Sequence, residues 1–159
     1  MDKLLELLQK KKRSSPAQLA AEVGLPEEEV LQKIGQWEKD GTILGYHAVL
    51  HHDYLDPNLV TAVIEVRVTP EREGGFDRIA SRIARFEEVG SVYLMSGGYD
   101  LLVVVEGHSL REVAAFVATK LSTIDAVQSC ATRFRLNTYK ENGIFYVEDE
   151  VFERLSVAP

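Results

Sequence analysis

A chain of 159 residues, 45% hydrophobic and 27% charged, fits one ordinary domain or two small ones and is too apolar for a disordered segment. Its single cysteine, Cys130, excludes an intramolecular disulfide framework and any structural zinc site built on several thiolates, which suits a reducing cytosol. Eighteen basic against 25 acidic side chains leave a net charge of −7, a poor balance for coating nucleic acid or an anionic membrane without specificity.

From residue 2 to residue 37 the apolar spacing is helical. Leu4, Leu5 and Leu8 form one stripe, Leu19, Ala20 and Val23 a second, and Val30, Leu31, Ile34 and Trp37 a third. The second helix has a marked start: Ser15 can cap the exposed amides, Pro16 suits the first helical position, and Gln18 stands where a capping box needs Glu or Gln. Gly24 ends it, and only Gly24 and Leu25 intervene before Pro26, a link short enough to signal a helix-turn-helix. The third helix stops at Lys39-Asp40-Gly41, and residues 42–50 read as a β-ribbon or wing bent at Gly45. Residues 1–50 are therefore expected to form a winged helix-turn-helix domain. The acidity lies mostly beyond it, because residues 1–45 hold seven basic and eight acidic groups.

Residues 51–58, polar and containing Asp56-Pro57, form a connector. The period then changes. Residues 59–69 alternate as a strand, with Val60, Ala62, Ile64, Val66 and Val68 on one face; 74–86 is helical through Phe76, Ile79, Ala80 and Ile83; 89–96 is a strand, Gly97-Gly98 a turn, and 99–106 a strand. A capping box at Ser109-Leu110-Arg111-Glu112 opens a helix carrying Leu110, Val113, Ala114, Val117 and Leu121, and a last strand spans about 126–139. The expected fold of residues 59–140 is thus βαββαβ, an α+β ferredoxin-like unit with two helices on one face of an antiparallel sheet. The other face needs a partner, which predicts a homodimer of sheets packed face to face. Residues 141–159 form an acidic extension. The longest apolar run is only 113–118, far short of the ~20 residues of a membrane span. Residues 1–3 are followed by mixed polar and apolar residues rather than a signal-peptide block, so a cytoplasmic protein is expected.

This order of elements resembles the Lrp/AsnC (feast/famine) family of transcriptional regulators over nearly the whole chain. Two segments carry the likeness. Trp37-Glu38-Lys39-Asp40-Gly41-Thr42-Ile43-Leu44-Gly45-Tyr46-His47-Ala48 is similar to the family's helix-to-wing segment, and Met95-Ser96-Gly97-Gly98-Tyr99-Asp100 to the Gly-x-Tyr-Asp turn of its effector domain. The resemblance implies an ACT-like (RAM) domain, double-stranded DNA with a pseudo-palindromic operator as partner, an amino-acid effector held between neighbouring dimers, no cofactor, and assembly to a homodimer or a ring of four dimers.

Candidate DNA contacts are the basic run Lys10, Lys11, Lys12 and Arg13 before the second helix, Ser14, and on the third helix Gln32, Lys33 and Gln36, which point away from its apolar stripe. An ordinary solvated surface would show the same residues. Pro26-Glu27-Glu28-Glu29 opens that helix with three acids, which favour its dipole but repel phosphates. The candidate effector site is the turn of Met95, Ser96, Gly97, Gly98, Tyr99 and Asp100, with Thr132 on a flanking strand. Its glycines admit close backbone approach, its amides can hold a carboxylate, and Asp100 can pair with an ammonium group. A plain hairpin is the simpler account of Gly-Gly. Metal binding by His51-His52-Asp53 is disfavoured, since adjacent residues on extended chain face opposite ways. Trp37 and Cys130 read as core, and His47 and His108 as surface. Two other functions compete with an effector-responsive regulator: a metabolite-sensing oligomer with weakened DNA binding, and an enzyme resembling sirohaem decarboxylases, for which no histidine cluster is found.

Overall fold

A computed structural model describes residues 2–10, 14–50, 54, 56–70 and 74–146, so Lys11, Lys12, Arg13 and the His51-His52-Asp53 run lie outside the described residues. The chain divides into two compact units, Met1–Val49 and Leu50–Pro159.

The first unit holds three helices, α1 (Lys3–Lys10), α2 (Pro16–Val23) and α3 (Glu27–Lys39). Leu4, Leu19, Ala20 and Val30, one or two from each helix, form its buried centre, and Leu8, Val23, Ile34 and Trp37 pack around them. At the start of α1, the Asp2 carboxylate accepts from the Leu4 amide (2.8 Å) and, through its other oxygen, from Lys33 Nζ on α3 (3.3 Å). The α2 capping box forms in both directions: Ser15 Oγ accepts from Gln18 N (3.2 Å) and Gln18 Oε1 from Ser15 N (2.8 Å). Gly24 ends α2 at φ 74°, where a Cβ would be strained. The expected β-ribbon at 42–50 does not form, as no strand is present at 44–50. A ribbon needs a second backbone to pair with, and no described segment of this unit offers one. The segment touches α3 instead, through Ile43 N to Trp37 O (2.9 Å) and the Tyr46 hydroxyl donating to Glu38 (3.0 Å).

The second unit is a four-stranded antiparallel sheet in the order β2-β3-β1-β4, with β1 Val60–Val68, β2 Val89–Leu94, β3 Leu101–Gly107 and β4 Val127–Phe134. Alternation along β1 and β3 puts Ala62, Ile64, Val66, Leu101, Val103 and Val105 on one face, all essentially buried, against Ile79 and Ile83 of α4 (Gly75–Ile83) and Val113 and Phe116 of α5 (Leu110–Phe116). Phe86 meets Phe116 edge to face at 5.6 Å. The alternate face of the sheet carries Tyr93, Leu102, Val104, Val63 and Ala131, exposed or half-buried. Across it Arg133 grips Glu65 through two hydrogen bonds, 3.0 and 3.2 Å.

Three expectations need correcting. The α5 helix widens into a π-helical turn at Val117–Leu121, which rotates the end of the apolar stripe while keeping Leu121 buried. The capping box at Ser109 is only half made: Ser109 Oγ accepts from Glu112 N (3.1 Å), but the Glu112 carboxylate reaches one residue further, to the His108 amide (2.6 Å). The last strand ends at Phe134 rather than near 139. One further bond, Arg135 N to Thr61 O (2.9 Å), closes the ladder, and Leu136 turns out to solvent. Beyond it β5 (Lys140–Glu141) and β6 (Ile144–Phe145) form a two-residue hairpin over Asn142 (φ 49°) and Gly143 (φ 81°), the two positive φ values of a type I′ turn.

Candidate effector turn and nucleic-acid interface

The turn between β2 and β3 is held by two backbone–backbone bonds and one from a backbone amide to a side chain. Met95 N donates to Asp100 O (2.8 Å), Asp100 N to Val66 O (3.0 Å), and the Asp100 carboxylate accepts from Val68 N on β1 (2.9 Å). Arg67 Nε donates to the Gly98 carbonyl (2.8 Å) from the open face of the sheet. Gly97 sits at φ 128°, a conformation that L side chains avoid. Met95, Ser96, Gly97 and Gly98 are therefore exposed on a braced loop, and Tyr99 and Asp100 are half-buried. The sequence reading did not find Arg67 or the Val68 amide, since nothing in local pattern links β1 to a turn more than thirty residues later. Asp100, expected to meet an ammonium group, has one oxygen already committed to the sheet.

Thr132 is not brought to this turn. It pairs with Ile64, facing the helices, while β3 lies on the other side of β1. Two strand spacings, ~10 Å, separate β4 from β3. Cys130 packs half-buried against the core, and burial pushes its thiol above the usual range, which disfavours the nucleophilic thiolate.

On the first unit, a shallow groove along α3 is flanked by Glu28, Leu31, Gln32, Gly35, Gln36 and Lys39. Gln32 and Gln36 share this outer face, one turn apart. Lys33 is turned aside to Asp2, and its side chain is 37% exposed. Leu31, read from sequence as part of the apolar stripe, is 51% exposed on the groove, because at about 100° per residue it stands about 100° from buried Val30 and about 60° from Ile34, at the edge of the stripe. Lys10 forms a surface pair with Glu6 (3.6 Å), and Ser14 is half-buried. Pro26 gives α3 no side-chain cap. Among the described residues no group of three or more His, Cys, Asp or Glu side chains is placed to hold a metal ion, and no helix is long and apolar enough to cross a membrane.

A four-stranded antiparallel sheet backed by two helices, with a braced Gly-rich turn between β2 and β3, defines a ferredoxin-like ligand-binding class of domain. Residues 61–145 match the Lrp/AsnC ligand binding domain. Over 98% of its length the chain is 44% identical to an HTH-type transcriptional regulator of Bacillus subtilis, covering 95% of that protein. It is 33% identical to the leucine-responsive regulatory protein of Klebsiella pneumoniae over 88% of this chain and 85% of that one. Among solved structures, an AsnC family transcriptional regulator from Agrobacterium tumefaciens superposes with a TM-score of 0.66 at 28% identity, covering 89% of this chain and 94% of that one. A Neisseria meningitidis transcriptional regulator, solved in complex with L-methionine, shares the fold with a TM-score of 0.69 at 23% identity over 89% and 93% of the two chains. The chain belongs to the Lrp/AsnC family of transcriptional regulators. That family is one of regulators and not of enzymes, which removes the sirohaem-decarboxylase alternative.

Proposed function

We propose that this protein is a cytoplasmic, sequence-specific DNA-binding regulator whose assembly or DNA binding responds to a free amino acid. The first unit is read as a winged helix-turn-helix head without a formed wing. Helix α2 spans the backbone, the tight Gly24-Leu25-Pro26 link sets the angle, and α3 enters the major groove. Gln32 and Gln36 reach base edges, where a glutamine suits adenine N6 and N7. Lys10, Lys11, Lys12, Arg13 and Ser14 contact phosphates near the start of α2. The second unit carries the effector at Met95, Ser96, Gly97, Gly98, Tyr99 and Asp100, with the glycine amides toward a carboxylate and the free lone pairs of Asp100 toward an ammonium group. Bare sheet faces pack together in a homodimer, and dimers assemble toward an octamer, so that two heads meet a pseudo-palindromic operator about one helical turn apart.

One observation carries this reading above all: a glutamine-bearing outer face on α3, lifted from the unit's core by a helix link of only three residues. Gel-shift titration against the protein's own upstream region tests it, in 50 and 200 mM salt and with each of the twenty amino acids. The expected result is a preference over random DNA that one amino acid alters. Equal binding to both DNAs under all conditions refutes it. The three exposed carboxylates of Glu27, Glu28 and Glu29 favour a second reading, a sensor that works through assembly alone. Amino-acid binding by calorimetry with a flat DNA titration selects that one.

A further inference from the structure

A lone exposed leucine is ordinary on a protein surface, but Leu31 stands in unusual company. It lies on the groove along α3, one turn before Gly35 on the same face. The unit itself gives no reason for a glycine at 35. Among the described residues a Cβ built there meets nothing within 4 Å, and Gly35 is not one of the residues with positive φ. Glycine inside a helix is less favourable than alanine, so its use here is a cost without a structural return. Because side chains on a helix lean toward its N-terminus, a side chain at 35 would lie back toward Leu31. Without one, a flank of the leucine stands open on an otherwise polar face.

The polar groups around that flank narrow what it meets. Gln32 is exposed beside Leu31 on the groove, and a carboxamide pairs with adenine N6 and N7. The commonest specific base contact, a cationic side chain on guanine O6 and N7, has no source in the part of α3 that would meet base edges, its N-terminal part. The helix contains no arginine, Lys33 is bonded to Asp2 (3.3 Å), and Lys39 is its last residue. Among the four bases only thymine presents an apolar group in the major groove, its C5-methyl. An exposed leucine with an open flank and a glutamine at the next position therefore match the two members of neighbouring A·T pairs.

We infer that Leu31 and Gly35 are a specificity-determining pair that reads a thymine by its C5-methyl group. The methyl rests on Leu31 in the space that a side chain at 35 would fill, and Gln32 takes a neighbouring adenine. This rests on the reading of the first unit as a DNA-binding head and adds to it which base the apolar part of α3 selects. Cytosine, which lacks the methyl, leaves the leucine uncovered, so the pair discriminates between the two pyrimidines without a hydrogen bond.

The test uses the full chain. Duplexes are selected from a random-sequence pool, with and without a mixture of the twenty amino acids, and each thymine of the selected site is then replaced in turn by deoxyuridine, which removes only the methyl. Fluorescence anisotropy at one fixed salt concentration reads the dissociation constants. The expected outcome is at least one thymine in each half-site at which deoxyuridine weakens binding about fourfold, the value of one methyl group taken out of water. Leu31→Ala brings the ratio between the two duplexes to about one at that position. Gly35→Ala separates structure from recognition: the added Cβ meets nothing in the unit and favours the helix, so thermal stability holds or rises while binding to the thymine duplex falls several-fold. A deoxyuridine effect that persists unchanged in Leu31→Ala arises from duplex shape rather than from the leucine and overturns the inference. So does a selected duplex with no sensitive thymine, or Gly35→Ala binding as tightly as the native chain. If Leu31→Ala leaves the ratio intact and instead splits the assembly on sedimentation, the leucine serves a protein contact and the inference fails. A pool that enriches no sequence overturns the proposed function, and this inference with it.

Discussion

Removing the Asp100 carboxylate separates its two roles, bracing the sheet and meeting an effector. Asp100→Ala strips the acceptor from Val68 N, a part-buried donor 2.9 Å away at the last residue of β1. A hydrogen bond to a charged group contributes ~1.5–3 kcal/mol, and a donor left without a partner costs a similar amount. The expected loss is about 2 kcal/mol. With a urea dependence of ~2 kcal/mol per molar for a unit of this size, the midpoint falls by about 1 M with the slope unchanged. Asp100→Asn keeps an oxygen at the same place as a neutral acceptor and loses only ~0.5–1 kcal/mol. Far-ultraviolet circular dichroism is the right probe, because Trp37 lies in the first unit and its fluorescence does not report on the sheet. Protein concentration is held fixed, since an assembling chain gains stability from its partners. An Asp100→Ala midpoint equal to that of the native protein would show that the Val68 contact carries no weight and refute the bracing role. If Asp100→Asn shows only that small loss of stability but loses its amino-acid response in the gel shift, the second role is isolated.

Two further tests address the sheet and its acid limb. Val104 lies on the open face at the middle of β3, opposite Val63 and Ser91. A lysine there would be buried in a face-to-face dimer at several kcal/mol, and ~4 kcal/mol raises the dissociation constant roughly 10³-fold; sedimentation should show dimer for the native chain and monomer for Val104→Lys at micromolar concentration, and a native monomer would disprove the sheet interface. Glu88 is held below its ordinary value of 4.5 chiefly by its hydrogen bond from Lys120, which also lies over the Phe86 ring at 5.8 Å. A lowered carboxylate stabilises the fold above its unfolded value and loses that contribution as pH falls through its folded one. Urea midpoints should therefore drop from pH 5 to pH 3, and Glu88→Gln should flatten that limb; an unchanged profile would remove Glu88 from the acid response.

How far a residue could be read from sequence followed the range of the interaction that fixes it. The α2 cap was legible because Ser15 and Gln18 bond each other within one turn, and the strands of the second unit were legible because alternation at Ala62, Ile64, Val66 and Val68 needs no knowledge of the partner strand. The Asn142-Gly143 hairpin was equally local and was overlooked inside a segment read only for its charge. Glu112 had the right spacing for a capping box, yet a free rotamer let its carboxylate select the His108 amide. Asp100 and Arg67 lay beyond local pattern altogether: an aspartate after a glycine turn looks the same whether it awaits a ligand or caps an amide 32 residues earlier.

The chemistry of α3 bears on why assembly matters to such a regulator. With no side-chain cap from Pro26, the exposed amides of the first turn rely on Glu27, Glu28 and Glu29, each worth ~0.3–1 kcal/mol against the helix dipole. The same carboxylates meet phosphate repulsion when the helix enters a groove, and Lys33, which could offset them, is held by Asp2. Helix stability and DNA affinity therefore pull in opposite directions within one turn of sequence. Under the proposed function a single head of this composition is expected to bind weakly, and joining two heads would make the second contact intramolecular, multiplying occupancy without any new contact. On the proposed assembly, control then falls to whatever sets the number and spacing of the heads, for which the open sheet face around Val104 is the candidate.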